Sequence, residues 1–96
     1  PLEIERCLNE HEDVKECAVI AHQLADQRMT LRAVVVLRQG GAGDAMKTRE
    51  LQDYVRTVLM PFKYPRLVEY VTELPKTGTG KIDRQALGAA LDQQTD

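Results

Sequence analysis

The spacing of apolar residues along the chain switches between helical and strand-like periods, and each switch marks an element. Ile4, Cys7, Leu8 and His11 fall at i, i+3, i+4 and i+7, so residues 1–10 read as a short helix. Pro1 suits a first helical position, where a missing N–H leaves no bond unmade. Glu3 and Glu5 then sit beside the positive end of the helix dipole. The capping residue would precede Pro1, and the expectation is a chain that continues upstream. Val14 to His22 reads as a strand centred on Val19 and Ile20. Leu31 to Leu37 reads as a second strand, and its run Ala33-Val34-Val35-Val36-Leu37 has no polar alternation, which predicts burial on both faces. The polar turn Ala25-Asp26-Gln27-Arg28 between them predicts a hairpin. Gln39 to Asp44 is a glycine-rich surface loop.

Helical spacing returns at Leu51, Tyr54, Val55, Val58 and Leu59, which predicts a helix from Thr48 to Leu59 with Thr48 as its N-cap and Pro61 as its stop. Met60 to Pro65 is a stiff loop bracketed by prolines. Leu67 to Thr72 alternates as a third strand, and Pro75 to Lys81 follows as a loop of glycine, threonine and lysine. Asp83 is placed to cap a last helix whose apolar face is Ala86, Leu87, Ala90 and Leu91, and residues 93–96 form a frayed tail. The order α-β-β-α-β-α predicts an α+β fold, a three-stranded sheet covered by helices, as one domain over residues 1–92.

Composition narrows the function. The chain has 96 residues, 43% hydrophobic and 29% charged, as in an ordinary globular domain with one modest core. A net charge of −2 gives no footing for a nucleic-acid or membrane partner. No apolar run approaches the roughly 20 residues that a membrane helix needs, and no signal peptide is visible. Cys7 and Cys17 are too few for a disulfide framework and read as reduced, buried hydrophobes, in keeping with a cytoplasmic setting. Cys7, His11, Cys17 and His22 lack the C-x2-4-C spacing of a zinc finger and are read as structural.

The chemistry concentrates in Pro75-Lys76-Thr77-Gly78-Thr79-Gly80-Lys81-Ile82-Asp83-Arg84. A pliable loop with two lysines, placed between a strand and a helix start, suits a phosphate or a carboxylate. It is not the phosphate loop G-x-x-x-x-G-K-S/T, because Pro75 stands at the first glycine and Ile82 at the magnesium-binding hydroxyl. The segment resembles the last core motif of the adenylate-forming superfamily, which includes acyl-CoA synthetases, peptide-synthetase adenylation domains and firefly luciferase. That motif runs close to P-K-T-x-S/T-G-K-I/V-x-R, matched here by Pro75, Lys76, Thr77, Thr79, Gly80, Lys81, Ile82 and Arg84. Pro1-Leu2-Glu3-Ile4-Glu5 is similar to the end of the hinge motif of the acyl-CoA synthetases, P-x-E-I-E.

The resemblance implies the small C-terminal lid of an aryl- or medium-chain acyl-CoA ligase, whose large N-terminal domain lies outside this chain. In such enzymes the lid closes over the N-terminal domain in cis, and the lysine matching Lys81 meets a carboxylic acid substrate and ATP. A carboxylate attacking the α-phosphorus brings two anions together, and a compact ammonium there orients one and neutralises charge on the other. Lys76, Thr77, Gly80 and Arg84 would support the nucleotide loop, with Arg84 alternatively an anchor of the loop to the last helix. Mg2+ is expected with ATP, held mainly by the N-terminal domain, and no metal site is assigned to this chain. CoA would be met by Phe62 on its adenine and by Lys63 and Arg66 near its phosphates; the competing reading packs Phe62 and Tyr64 beneath the preceding helix. A lysine acetyltransferase acting on Lys81 is a further implied partner, since acetylation removes the charge. Two alternatives stay open: a standalone interaction or regulatory module with the same fold, and a fragment of a peptide-synthetase adenylation domain.

Overall fold

A computed structural model describes residues 2–40, 43–59 and 64–88. The chain order is α1 (Leu2–Asn9), β1 (Val14–Gln23), β2 (Met29–Leu37), α2 (Ala45–Val58) and β3 (Leu67–Tyr70), followed by a helical segment at 84–88. The sheet has the order β1-β2-β3, with β1 antiparallel and β3 parallel to the central strand. The expected three-stranded α+β arrangement is therefore present. The antiparallel pair closes through the expected turn, with Gln27 at a φ of 72° and Leu24 and Arg28 bonded across it at 2.8 Å. The parallel pair requires the chain to return to the same end of the sheet, and α2 lies on that return path.

The expectation for β2 holds for Ala33, Val34, Val35 and Val36, which are all buried, while Leu37 at the end of the run is half-buried. Ala33 and Val35 join Cys17 and Val19 of β1 under Leu8 of α1 and Leu51 and Val55 of α2. Val34 and Val36 join Ala18 on the opposite face, covered by Leu74 and Leu87. One irregularity makes this partition work. Val14 pairs with Leu37 but Glu16 pairs with Val36, so one extra residue is accommodated between Val14 and Glu16. Val14 and Cys17 consequently share the helix-covered face although they are three residues apart, and Glu16 turns to the other face.

The hairpin strands run slightly further than expected, β1 to Gln23 and β2 from Met29, and two other boundaries differ for identifiable reasons. The cap of α2 is Asp44, not Thr48: Asp44 Oδ1 accepts the Lys47 N–H at 2.9 Å, and the helix starts at Ala45. The first turn carries the exposed Met46, so its start is invisible to apolar periodicity, while Asp is a strong cap. Thr48 instead pairs its hydroxyl with that of Tyr70 at 2.9 Å, joining α2 to β3. The ring of Tyr70 lies so close to Gly43 that a Cβ there would sit 2.5 Å from it, which explains one glycine of the 39–44 loop. β3 ends at Tyr70 rather than Thr72: the Val71 N–H still reaches the Val35 carbonyl at 3.0 Å, but the chain then crosses to bury Leu74 on the second face. The Pro61 stop and the Ala90 and Leu91 helix face fall outside the described residues. No described helix is long and apolar enough to cross a membrane.

Leu51, fully buried between α2 and the sheet, tests the first core. Leu51→Ala should cost about 2–5 kcal/mol, read as a lowered urea midpoint with unchanged denaturant slope.

Candidate functional site

The segment after β3 is built on the second face of the sheet. Leu74 anchors its start, and Ile82 and Leu87 its end, against Ala18, Val34 and Val36. Between these anchors the chain makes a miniature hairpin. Lys76 and Ile82 form an antiparallel bridge. The Thr77 N–H donates to the Lys81 carbonyl at 2.7 Å, and the Gly80 N–H to the Thr77 carbonyl at 2.9 Å. Gly80 has a φ of 85°, a conformation that favours glycine. The hydroxyls of Thr77 and Thr79 pair at 3.0 Å. At the foot, the Asp83 N–H donates to the Pro75 carbonyl at 2.8 Å, and Asp83 Oδ1 accepts the Ala86 N–H at 3.0 Å, the cap expected of it.

The hairpin thus uses the amides of Thr77, Gly80 and Asp83 for itself, and Asp83 takes up the donor at Ala86. Backbone capture of an anion therefore has fewer free donors than the composition of the loop implies. Side-chain charge carries more of the chemistry. Lys76 Nζ donates to Glu16 Oε1 of β1 at 2.8 Å. Arg84 Nη1 and Nη2 reach Glu5 Oε2 and Oε1 at 2.7 and 2.6 Å, a two-pronged pair. Lys81 differs: it is exposed, and its ammonium has no hydrogen bond or ion pair among the described residues. A cation held out on a pinned hairpin, flanked by hydroxyls, suits an anionic group, as a nucleotide phosphate or a carboxylate would supply.

Arg84 does not anchor the loop to the last helix; it anchors it to α1. Its partner Glu5 is only 8% exposed, and Glu5 Oε2 also accepts the Val19 N–H at 2.9 Å. Burial disfavours the charge on Glu5, but the bonds from Arg84 and Val19 outweigh it and hold the carboxyl below its ordinary value of 4.5. The same contact raises Arg84. Neither Glu5 nor Glu16 was singled out as part of a site by the sequence. Nothing in local spacing joins residues 79 apart, and the turn of Glu16 toward Lys76 follows from the bulge in β1.

The second group of sequence candidates lies elsewhere. Phe62 and Lys63 are outside the described residues. Tyr64 packs against the helix-side core, between the guanidinium groups of Arg56 and Arg66, which lie 4.9 and 5.3 Å from its ring centre. The competing reading of Tyr64 as a packed ring is therefore the observed one. Gln52 Nε2 holds the Pro65 carbonyl at 3.0 Å. Arg66 is exposed and lines a cleft of about 330 Å3 with Leu24, Arg28, Met29 and Thr30. A cleft of about 380 Å3 near Asp13, Asp44 and Lys47 does not include Lys81.

Cys7 and Cys17 are free and buried. Burial, with the charge of Glu5 adding, pushes the Cys17 thiol up to about 12, so it stays protonated and is a poor ligand. His11, Asp13 and Glu50 bring ligand-type atoms within 4.8 Å of one another. The Lys47 ammonium stands among them, 2.6 Å from Asp13 and 3.3 Å from Glu50, and supplies the positive charge that such a cluster needs.

Residues 3–81 match the family described as AMP-binding enzyme C-terminal domain. Among curated relatives, the benzoate–CoA ligase of Thauera aromatica is 45% identical over 94% of this chain and 17% of its own length. The mitochondrial acyl-coenzyme A synthetase ACSM1 of Homo sapiens is 45% identical over 91% of this chain and 15% of its own. Among solved structures, an acyl-CoA synthetase of Brucella canis superposes with a TM-score of 0.86 at 34% identity, covering 99% of this chain and 18% of that one. A benzoate CoA ligase from Burkholderia xenovorans LB400 gives 0.83 at 40% identity, covering 91% and 18%. This chain therefore spans about a sixth of the length of these proteins.

Arg84→Met should lower stability by about 2 kcal/mol, less than loss of a fully buried pair because the Arg84 side chain is 41% exposed. The lowered carboxyl of Glu5 fixes the pH dependence. Its contribution is complete above the ordinary carboxylate value of 4.5 and disappears as pH falls through the depressed folded value. The stability gap between the parent chain and Glu5→Gln, followed by urea melts, should therefore be constant near neutrality and close only below pH 4.5.

Proposed function

We propose, because this chain belongs to the AMP-binding enzyme C-terminal domain family, that it is the lid of an AMP-forming acid–CoA ligase and that Lys81 is its catalytic residue. One observation carries the assignment of Lys81. Of the three cations in the hairpin segment, Lys76 is engaged by Glu16 and Arg84 by Glu5, whereas Lys81 has no partner among the described residues. Two cations fasten the segment and the third is left available to a ligand.

In the proposed reaction a carboxylic acid and ATP give an acyl-adenylate and pyrophosphate, and the acyl group then passes to CoA with release of AMP. The large domain would hold most of the nucleotide, its Mg2+ and the acid. Lys81 would arrive from the lid. Its ammonium would orient the carboxylate against the α-phosphorus and offset the negative charge that grows there, with no proton transfer asked of it. Thr77 and Gly80 fix the backbone at Lys81, through the 2.7 Å bond from Thr77 to the Lys81 carbonyl and the turn at Gly80. Lys76 supports the loop through Glu16 rather than by touching the nucleotide. The relatives' printed substrates, benzoate and acyl groups, support an aryl or acyl carboxylic acid as the substrate class. Exposed Arg66, with Phe62 and Lys63, remains the proposed contact for CoA in the second step, and acetylation of exposed Lys81 by a lysine acetyltransferase the proposed means of switching off the first.

The test separates the half-reactions in the full-length enzyme. Lys81→Ala should reduce acid-dependent pyrophosphate exchange by at least ~10²-fold, while transfer from a supplied acyl-adenylate to CoA is retained. Equal loss of both steps would remove Lys81 from this role. Lys81→Arg should fail as Lys81→Ala does, since a planar fork does not replace a point charge.

A further inference from the structure

The two chain segments that carry sequence motifs meet through one carboxylate. Glu5 closes the first segment and Arg84 the second, and their side chains form two parallel charge-assisted bonds of 2.6 and 2.7 Å. We propose that Glu5 is a positioning residue for Lys81: it locks the foot of the hairpin to α1 and β1 so that the lysine is presented in one place. This rests on the reading of Lys81 given above.

The geometry supports a lock rather than an incidental surface pair. Glu5 is buried and bonded on both oxygens, with Oε2 shared between Arg84 and the Val19 N–H at 2.9 Å. Its backbone is fixed as well, since the Cys17 thiol donates to the Glu5 carbonyl at 3.5 Å. The carboxylate is therefore held from β1 as well as by the arginine. Arg84 lies three residues beyond Lys81, directly after Asp83, whose N–H closes the hairpin on Pro75 at 2.8 Å. The opposite leg is held by Lys76 on Glu16 at 2.8 Å. The hydrophobic anchors Ile82 and Leu87 hold the segment against the sheet, but apolar packing is non-directional. The planar fork of Arg84 on a fixed carboxylate adds the orientation that packing lacks. A shift of about 1 Å at a reacting group can cost about 10²-fold in rate, so a looser foot should be visible in the chemistry of Lys81 before it is visible in folding.

The experiment uses the full-length enzyme with Glu5→Gln, which keeps size and one acceptor but removes the charge, and Arg84→Lys, which keeps charge but loses the fork. Glu5→Gln should lower kcat for adenylate formation about 10-fold with KM for ATP little changed, and leave CoA transfer from a supplied acyl-adenylate intact. Arg84→Lys should fall between Glu5→Gln and the parent. Adding Glu5→Gln to Lys81→Ala should cause no further loss, because the two changes act through one group. Independently of turnover, backbone hydrogen exchange in residues 76–84 should accelerate while exchange in Met29–Leu37 stays slow. Multiplicative losses in the double variant, equal slowing of both half-reactions, or loosened exchange across the whole sheet would each overturn the proposal. If Glu5→Gln does not fold, Arg84→Lys decides by the same readouts. If Lys81→Ala spares adenylate formation, the functional reading falls, and unchanged exchange at 76–84 in Glu5→Gln would show separately that the lock is absent.

Discussion

Ala33 to Val36 are buried without a break, so both faces of a small sheet must be covered along the same stretch of its central strand. Two helices suffice for one face. The other is covered by the irregular segment from Leu74 to Leu87, which owes its position to Val34 and Val36 beneath it. Burying a valine is worth roughly 1.5 kcal/mol or more, and an exposed ion pair such as Lys76–Glu16 roughly 0–1 kcal/mol. Packing therefore decides that the hairpin lies on the sheet, and the charged contacts decide how it is oriented there. The segment proposed to bear the catalytic lysine also supplies the cover of the second face through Leu74 and Leu87, which gives a loop of glycines and threonines a fixed footing.

The elements were legible because each depends on local period. The unbroken apolar run named a doubly covered strand, and the turn at Ala25 to Arg28 named its antiparallel partner. Asp83 was legible as a cap for the same local reason. The start of α2 was not, since Asp44 is followed by Ala45 and the exposed Met46, and the periodic residues begin a turn later. The parallel pairing of β3 and the bulge in β1 are set by tertiary packing and leave no local mark.

The site was legible in its chemistry but not in its mechanics. The motif residues Lys76, Thr77, Gly80, Lys81 and Arg84 are brought into one hairpin. What distinguishes their roles is partner choice, and the partners are Glu16 and Glu5, from distant elements. Arg66 belongs to a separate region beside Tyr64. That separation suits a domain that would serve two successive steps with two different surfaces.

Glu5 also does something unconnected with the hairpin. β1 is an outer strand of ten residues, with β2 on one side only. The N–H of Val19 points away from β2, and a row of such unpaired donors is a template onto which another extended chain can add. The Glu5 carboxylate occupies that donor in the middle of the strand, and α1 packs against β1. The side chain that steadies the hairpin therefore also blunts a sticky border of the sheet, so a substitution that removes the carboxylate frees a strand-edge donor at the same time as it frees the arginine.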